Sequence, residues 1–158
     1  MSKSTAGFSI ANLRVDKDRS EGGVWVDYAT GQVVPEHAVK APANASKLFV
    51  RVARLGNPKF LEAMQESGTT GAALNLARVR GGSIDPASMS DQAKKAVAAT
   101  VLLDWSNLVE ADGKPITYSA GTAYRLFNDS PDFFNDIVAI AQDRALFREA
   151  SVAVDSGN

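Results

Sequence analysis

The stretch that decides the fold is VLLDWSNLVEADGKPITYSAGTAYRLF, residues 101–127. An apolar run ending at Trp105 leads into a polar turn, Ala111–Pro115, in which Asp112-Gly113 is a residue pair typical of turns. Ser119 then stands where its hydroxyl can cap a new helix. We therefore interpret the stretch as the end of one helix, a turn and the start of the next helix. A connection of this kind serves to pack two helices together. It therefore points to a protein that binds other proteins and away from an enzyme.

Length and composition restrict the class of protein. The chain has 158 residues, of which 45% are hydrophobic, enough for one domain with an apolar core. A net charge of −1 argues against a large basic surface for nucleic acid. No apolar run approaches the roughly 20 residues that span a bilayer, and the N-terminus is a poor secretory signal. The absence of cysteine excludes disulfides, thiol catalysis and thiolate metal sites.

The first part of the chain is predicted to be rich in β-structure. Val24–Tyr28 and Lys47–Arg54 have the β-branched and aromatic residues of strands, with alternate side chains on opposite faces. The intervening segment, residues 29–46, is predicted to be an extended loop, so the two strands are expected to pair antiparallel. Phe8–Ile10 alternates like a further strand, and Asp16–Gly23 is predicted to be a charged turn.

The remaining part is predicted to be mainly helical. Asn57 can cap a helix and Pro58 suits its first position, ahead of an apolar stripe at Phe60, Leu61 and Met64. Further helices are expected over 69–77, from Ser88 or Ser90 to about Trp105, from Ser119, and from Ser130-Pro131 to about Phe147. The last of these carries more apolar residues than a single stripe holds, which predicts burial on more than one side.

These elements predict an α+β protein with a small N-terminal antiparallel β-element followed by a mainly helical C-terminal part. We divide it into a β-rich element, short helices, a linker, a helical part and a flexible tail, at residues 1–56, 57–77, 78–87, 88–150 and 151–158. Gly81, Gly82 and Pro86 mark the linker because they interrupt the helical pattern. We expect the whole to form one domain.

The residues that most often carry chemistry form no convincing site. His37 is the only histidine, and it lies beside Glu36 in a loop without an evident nucleophile. Asp104, Glu110 and Asp112 lack the alternate spacing of a calcium loop, and no phosphate-binding glycine motif is present. We therefore expect no catalytic, cofactor-binding or metal-binding residues, no cofactor, and no enzymatic activity.

Three residues are candidates for contacting a partner protein. Trp25 lies on the strand face opposite Val24 and Val26, where it is either a partner contact or part of the core. Arg78 and Arg80 precede two glycines, where they are either a partner contact, since arginine is favoured at protein interfaces, or, as the simpler reading, part of a plain linker. Nearby acidic residues reduce the positive charge of the basic stretches, so we expect no nucleic-acid partner.

Two blocks of the sequence carry a resemblance to a known family. The first is EGGVWVDY at 21–28 with LFVRVARLGNPKF at 48–60. The second is residues 100–127, which contain the Trp105 and Asp112-Gly113 pattern, followed by DFFNDIVAIAQDRALFRE at 132–149. Together they resemble the tail assembly chaperones of long-tailed bacteriophages. The loop at 29–46 and the glycine-rich stretch at 78–86 depart from simpler members of that family.

The resemblance implies a non-enzymatic role in phage tail morphogenesis. It implies binding to the tape measure protein and recruitment of the major tail tube protein, in the cytoplasm of the host bacterium. Repeated weak helix contacts suit such a coat because repetition supplies avidity, and we expect homo-oligomers that depend on concentration. The alternative is a structural virion protein, either a minor tail protein or a head–tail adaptor or completion protein. No membrane partner is expected.

Overall fold

The computed structural model describes residue 10, residues 14–66 and residues 89–148. The predicted strand at Phe8–Ile10, the short helix at 69–77, the linker at 78–87 and the tail at 151–158 lie outside these ranges, except for the exposed Ile10.

The centre of the fold is a three-stranded antiparallel sheet. Its strands are β1 (Val24–Asp27), β2 (Phe49–Val52) and β3 (Leu102–Ser106), in that spatial order. The predicted antiparallel pairing of the first two strands is confirmed, with Val26 opposite Val50. β2 also pairs with β3, where Val50 lies opposite Trp105. The middle strand therefore has a partner on both edges.

The helices of the described residues lie before, between and after the strands, and most helical residues come after β2. They are α1 (Lys17–Gly22), α2 (Glu36–Val39), α3 (Pro58–Glu66), α4 (Asp91–Thr100), α5 (Ala120–Asp129) and α6 (Pro131–Ala141), with 3-10 turns at Pro42–Asn44 and Arg144–Phe147. The predicted fold class, a small antiparallel β-element followed by a mainly helical C-terminal part, is confirmed. None of these helices combines the length and the apolar character needed to cross a bilayer.

Local capping chemistry accounts for three helix starts. Asn57 Oδ1 accepts a hydrogen bond from the Phe60 amide at 3.0 Å. Ser90 Oγ accepts from the Ala93 amide at 3.1 Å, and Ser119 Oγ accepts from the Thr122 amide at 3.0 Å. Each bond satisfies an amide that the first turn of a helix leaves without a partner. All three predicted starts are confirmed.

The predicted helix reaching Trp105 is wrong at its C-terminal end. α4 ends at Thr100, and residues 102–106 form β3 instead. Val97 and Val101 continue the helical spacing, so the local pattern does not reveal the change. The strand forms because β2 offers a second edge for hydrogen bonding, beginning where the Ala53 amide donates to the Val101 carbonyl at 2.8 Å.

Three further segments differ from expectation. The predicted charged turn at 16–23 contains α1, because Asp16 Oδ1 caps it by accepting from the Arg19 amide at 3.0 Å. The predicted extended loop at 29–46 contains α2 and a 3-10 turn. The last helix begins at Pro131 as predicted, but it ends at Ala141 and a separate 3-10 turn carries Phe147 into the core.

One hydrophobic cluster joins the sheet to the helices. One face of the sheet contributes six buried side chains, namely Val24, Val26, Val50, Val52, Leu102 and Trp105. The helices complete the cluster with larger side chains that include Phe60, Met64, Val97, Phe127, Phe134 and Ile137. Both the β-rich part and the helical part therefore supply this cluster.

Candidate partner-binding surface

The segment after β3 is held in place by Trp105 of β3 and by Asn107, which directly follows the strand. Trp105 Nε1 donates a hydrogen bond to the Ile116 carbonyl at 2.7 Å, and its ring meets that of Tyr118 edge to face with centroids 5.0 Å apart. Asn107 adopts a left-handed φ of 71°, which asparagine tolerates. Its side-chain Nδ2 donates a hydrogen bond to the Lys47 carbonyl at 2.8 Å. These contacts hold Leu108 next to the end of β2.

Residues 108–116 form a small hairpin. The Ile116 amide donates to the Leu108 carbonyl at 2.9 Å, and the Glu110 amide donates to the Lys114 carbonyl at 2.7 Å. At the tip, Asp112 Oδ1 accepts from the Lys114 amide at 3.0 Å, while Gly113 has a φ of 89° that favours glycine. The predicted polar turn at Ala111–Pro115 is therefore confirmed, although it connects a strand to a helix and not two helices.

Between this hairpin, the end of the sheet and the α5–α6 junction lies an open recess of about 230 Å³. We call it the apolar recess; it is lined by Tyr28, Leu48, Leu108, Leu126, Ser130 and Phe133. All except Ser130 are partly buried against the core and partly exposed. The volume lies below the roughly 300–1,000 Å³ typical of small-molecule sites.

Aromatic contacts give the apolar recess a firm wall. The ring of Phe133 lies 5.7 Å from that of Tyr28 and 5.7 Å from that of the fully buried Phe127, measured between centroids. Tilted aromatic pairs at this distance attract each other beyond their burial. The recess is therefore preformed, and a partner side chain entering it needs little rearrangement.

One edge of the apolar recess is acidic. The Tyr28 hydroxyl donates a hydrogen bond to the exposed carboxylate of Asp136. Burial raises the pKa of Tyr28 well above its ordinary value, and the bond to Asp136 and the negative charges of Asp136 and Asp132 raise it further. Tyr28 therefore keeps its proton at neutral pH, and its hydroxyl donates a hydrogen bond to Asp136. We define the acidic edge as Asp132 and Asp136.

The predicted partner contact Trp25 lies elsewhere. It is half-buried on the sheet face opposite the main cluster, in register with Arg51 of β2 and, beyond it, Asp104 of β3. Arg51 Nε donates a hydrogen bond to the Gly22 carbonyl at 2.7 Å. Trp25 is not among the residues that line the apolar recess, and its role in binding stays a prediction. Arg78 and Arg80 lie outside the described residues.

The carboxylates and the histidine considered for chemistry are spread over separate elements. His37 is exposed on α2, and Asp104 Oδ1 accepts from the Trp105 amide at 2.8 Å on β3. Glu110 Oε1 lies 3.8 Å from a guanidinium nitrogen of Arg125, and Asp112 caps the hairpin turn. Within the ranges 14–66 and 89–148, no three histidine, cysteine or acidic side chains are grouped to hold a metal ion. The acids of β3 and the hairpin act here as caps and surface charges.

Sequence reasoning missed the apolar recess. Leu108 belongs to the quoted turn block, and Phe133 to the helix predicted to be buried on more than one side. Tyr28 and Leu48 come from the β-rich part, and nothing in the local pattern places them beside Phe133. The excess of apolar residues on α6 is the one signal that points toward this surface.

A family model described as YdaY prophage protein matches residues 55–158, more than half of the chain. The match includes Leu108, Leu126, Ser130 and Phe133 of the apolar recess, whereas Tyr28 and Leu48 precede it. No curated protein and no solved structure is significantly similar to the chain. The family match shows that this phage-derived protein belongs to the YdaY prophage protein family.

Proposed function

We propose that the protein is a non-enzymatic tail assembly chaperone, which binds the tape measure protein and recruits tail tube subunits during tail morphogenesis in the host cytoplasm. The observation that carries the proposal is the apolar recess, a preformed hydrophobic surface with the size of a side-chain pocket. The resemblance of residues 21–60 and 100–149 to tail assembly chaperones supports it, as does the phage origin of the family.

The physical demands of the role suit this surface. A coat on a long helical client needs contacts that are weak singly and strong in number, because repeated contacts raise the effective concentration. A recess that takes one apolar side chain provides a weak contact of that kind. Weak contacts also let the chaperone leave when tube subunits arrive, which a large obligate interface would prevent.

Co-expression with the tape measure protein of the same prophage tests the proposal. We expect the tape measure protein to be mostly soluble when the chain is present and mostly insoluble when it is absent, and the two proteins to copurify. An equal soluble fraction of tape measure protein with and without the chain would overturn the proposal.

The apolar recess would equally suit a permanent neighbour in the phage particle, as a minor tail or head–tail adaptor protein requires. Mass spectrometry of purified virions separates the two functions, since a chaperone leaves and a structural protein stays. A stoichiometric amount of the chain in the virion would favour the structural role and contradict the chaperone.

A further inference from the structure

We infer that the apolar recess and its acidic edge select an amphipathic helical segment that carries a bulky apolar side chain with lysine or arginine one turn away. The inference deepens the proposed function and rests on it for the identity and the helical form of the client. The chemistry of the site, by contrast, follows from the described residues alone.

The apolar part of the segment is specified by the recess. Its walls expose hydrophobic surface of Leu48, Leu108, Leu126 and Phe133, which the core holds from behind. Filling the recess with one leucine or phenylalanine removes this surface from water without ordering a flexible loop.

The charged part of the segment is specified by the acidic edge. Asp132 and Asp136 are one helical turn apart on α6 and both are exposed, so their side chains occupy the same face. The hydrogen bond from Tyr28 to Asp136 places that face at the rim of the recess. Among the described residues, neither carboxylate forms an ion pair with a lysine or arginine.

The other charges near the recess do not cancel this edge. Glu110 and Arg125 flank Leu108 and Leu126 but face each other at 3.8 Å. Lys47 precedes Leu48 and adds one positive charge, and the exposed Asp129 precedes Ser130 and adds one negative charge.

Asp132 has a structural role as well, because an acid in the first turn of a helix is favoured by the helix dipole. Asp136 lies a turn further on, and its only described side-chain bond is the one from Tyr28. A lysine or arginine of the partner can lay its aliphatic stem on Phe133 while its charge reaches these carboxylates. Such rim pairs contribute orientation and association rate more than affinity.

Two synthetic amphipathic peptides of equal length serve as the probe. One has leucine anchors flanked by lysines, and the other has glutamate in place of each lysine. In fluorescence anisotropy at low salt, we expect the wild-type protein to bind the lysine peptide about threefold to tenfold more tightly. The preference is expected to shrink at high salt, because exposed charges are screened.

Matched variants separate charge from apolar contact. The doubly neutralised variant carries both Asp132→Asn and Asp136→Asn and keeps an acceptor for the Tyr28 hydroxyl. We expect its preference for the lysine peptide over the glutamate peptide to fall below about twofold. Leu126→Ala is expected to weaken the binding of both peptides by the same factor. The control Glu62→Gln removes an exposed acid of α3 outside the recess and is expected to keep the wild-type preference. Thermal melts establish that each variant is folded.

Equal affinity of the wild-type protein for both peptides, or a full preference in the doubly neutralised variant, would overturn the inference. If Asp132→Asn alone lowers the melting temperature, Asp136→Asn by itself gives the same test. Failure of the inference while the tape measure protein is still kept soluble leaves the proposed function standing. If the wild-type protein clearly prefers the lysine peptide but the tape measure protein stays insoluble on co-expression, the inference holds and the proposed function fails.

Discussion

Replacing Phe127 by alanine is expected to lower the free energy of unfolding by about 3–5 kcal/mol. Phe127 is fully buried on α5, and its ring meets those of Phe133 and Phe134 at centroid distances of 5.7 and 5.0 Å. The substitution removes apolar surface from the core and leaves a cavity behind the apolar recess. Urea denaturation measures the loss, which is a large share of the roughly 5–15 kcal/mol that stabilises a typical domain.

Phe133→Ala is the matched control, because Phe133 has the same side chain but is only partly buried. We expect it to lose clearly less stability than Phe127→Ala while it weakens binding at the recess. A Phe127→Ala protein within about 1 kcal/mol of wild type would contradict the packing described here.

The second large effect is expected at Asn57. Replacing Asn57 by alanine is expected to lower the free energy of unfolding by about 2–4 kcal/mol. Asn57 is 2% exposed, and its side chain makes three hydrogen bonds. Besides capping α3, its amide donates to the Arg54 carbonyl at 2.8 Å and to the Thr100 carbonyl at 3.0 Å, where α4 gives way to β3. Alanine would remove the acceptor of the buried Phe60 amide and the side-chain donor to the partly buried Thr100 carbonyl, whereas the Arg54 carbonyl keeps its bond from the backbone amide of residue 57 at 3.1 Å. Chemical denaturation measures the change.

Asn57→Asp separates the cap from the link to Thr100. Aspartate caps a helix about as well as asparagine, but it cannot donate to the two carbonyls. We therefore expect the aspartate variant to lose most of the stability that the alanine variant loses. Wild-type stability of Asn57→Asp would mean that the cap alone matters and that the bond to Thr100 contributes nothing.

Local chemistry explains which parts of the fold were predictable. The caps at Asn57, Ser90 and Ser119 and the turn at Asp112-Gly113 depend on a few neighbouring residues, so the sequence shows them directly. The strand β3 depends on β2, which lies about fifty residues earlier in the chain. Its apolar side chains satisfy a helical period as well as a strand, and only tertiary pairing decides between them.

The same distinction applies to the apolar recess. Trp25 is a candidate because it shares with Asp27 the strand face opposite Val24 and Val26, and the structure places it there, half-buried, but not among the residues that line the apolar recess. The recess brings Tyr28 and Leu48 from the β-rich part to Phe133 of α6. Each is an ordinary apolar residue in its own segment, and only their convergence in space makes a surface.

Site-specific photo-crosslinking in co-expressing cells tests most directly whether the apolar recess holds the tape measure protein. The photoreactive amino acid p-benzoylphenylalanine replaces Leu108 in the recess or, as a control, the exposed Glu62 on α3. We predict a crosslink to the tape measure protein from position 108 and none from position 62. Crosslinking from position 62 that equals or exceeds that from position 108 would contradict the account.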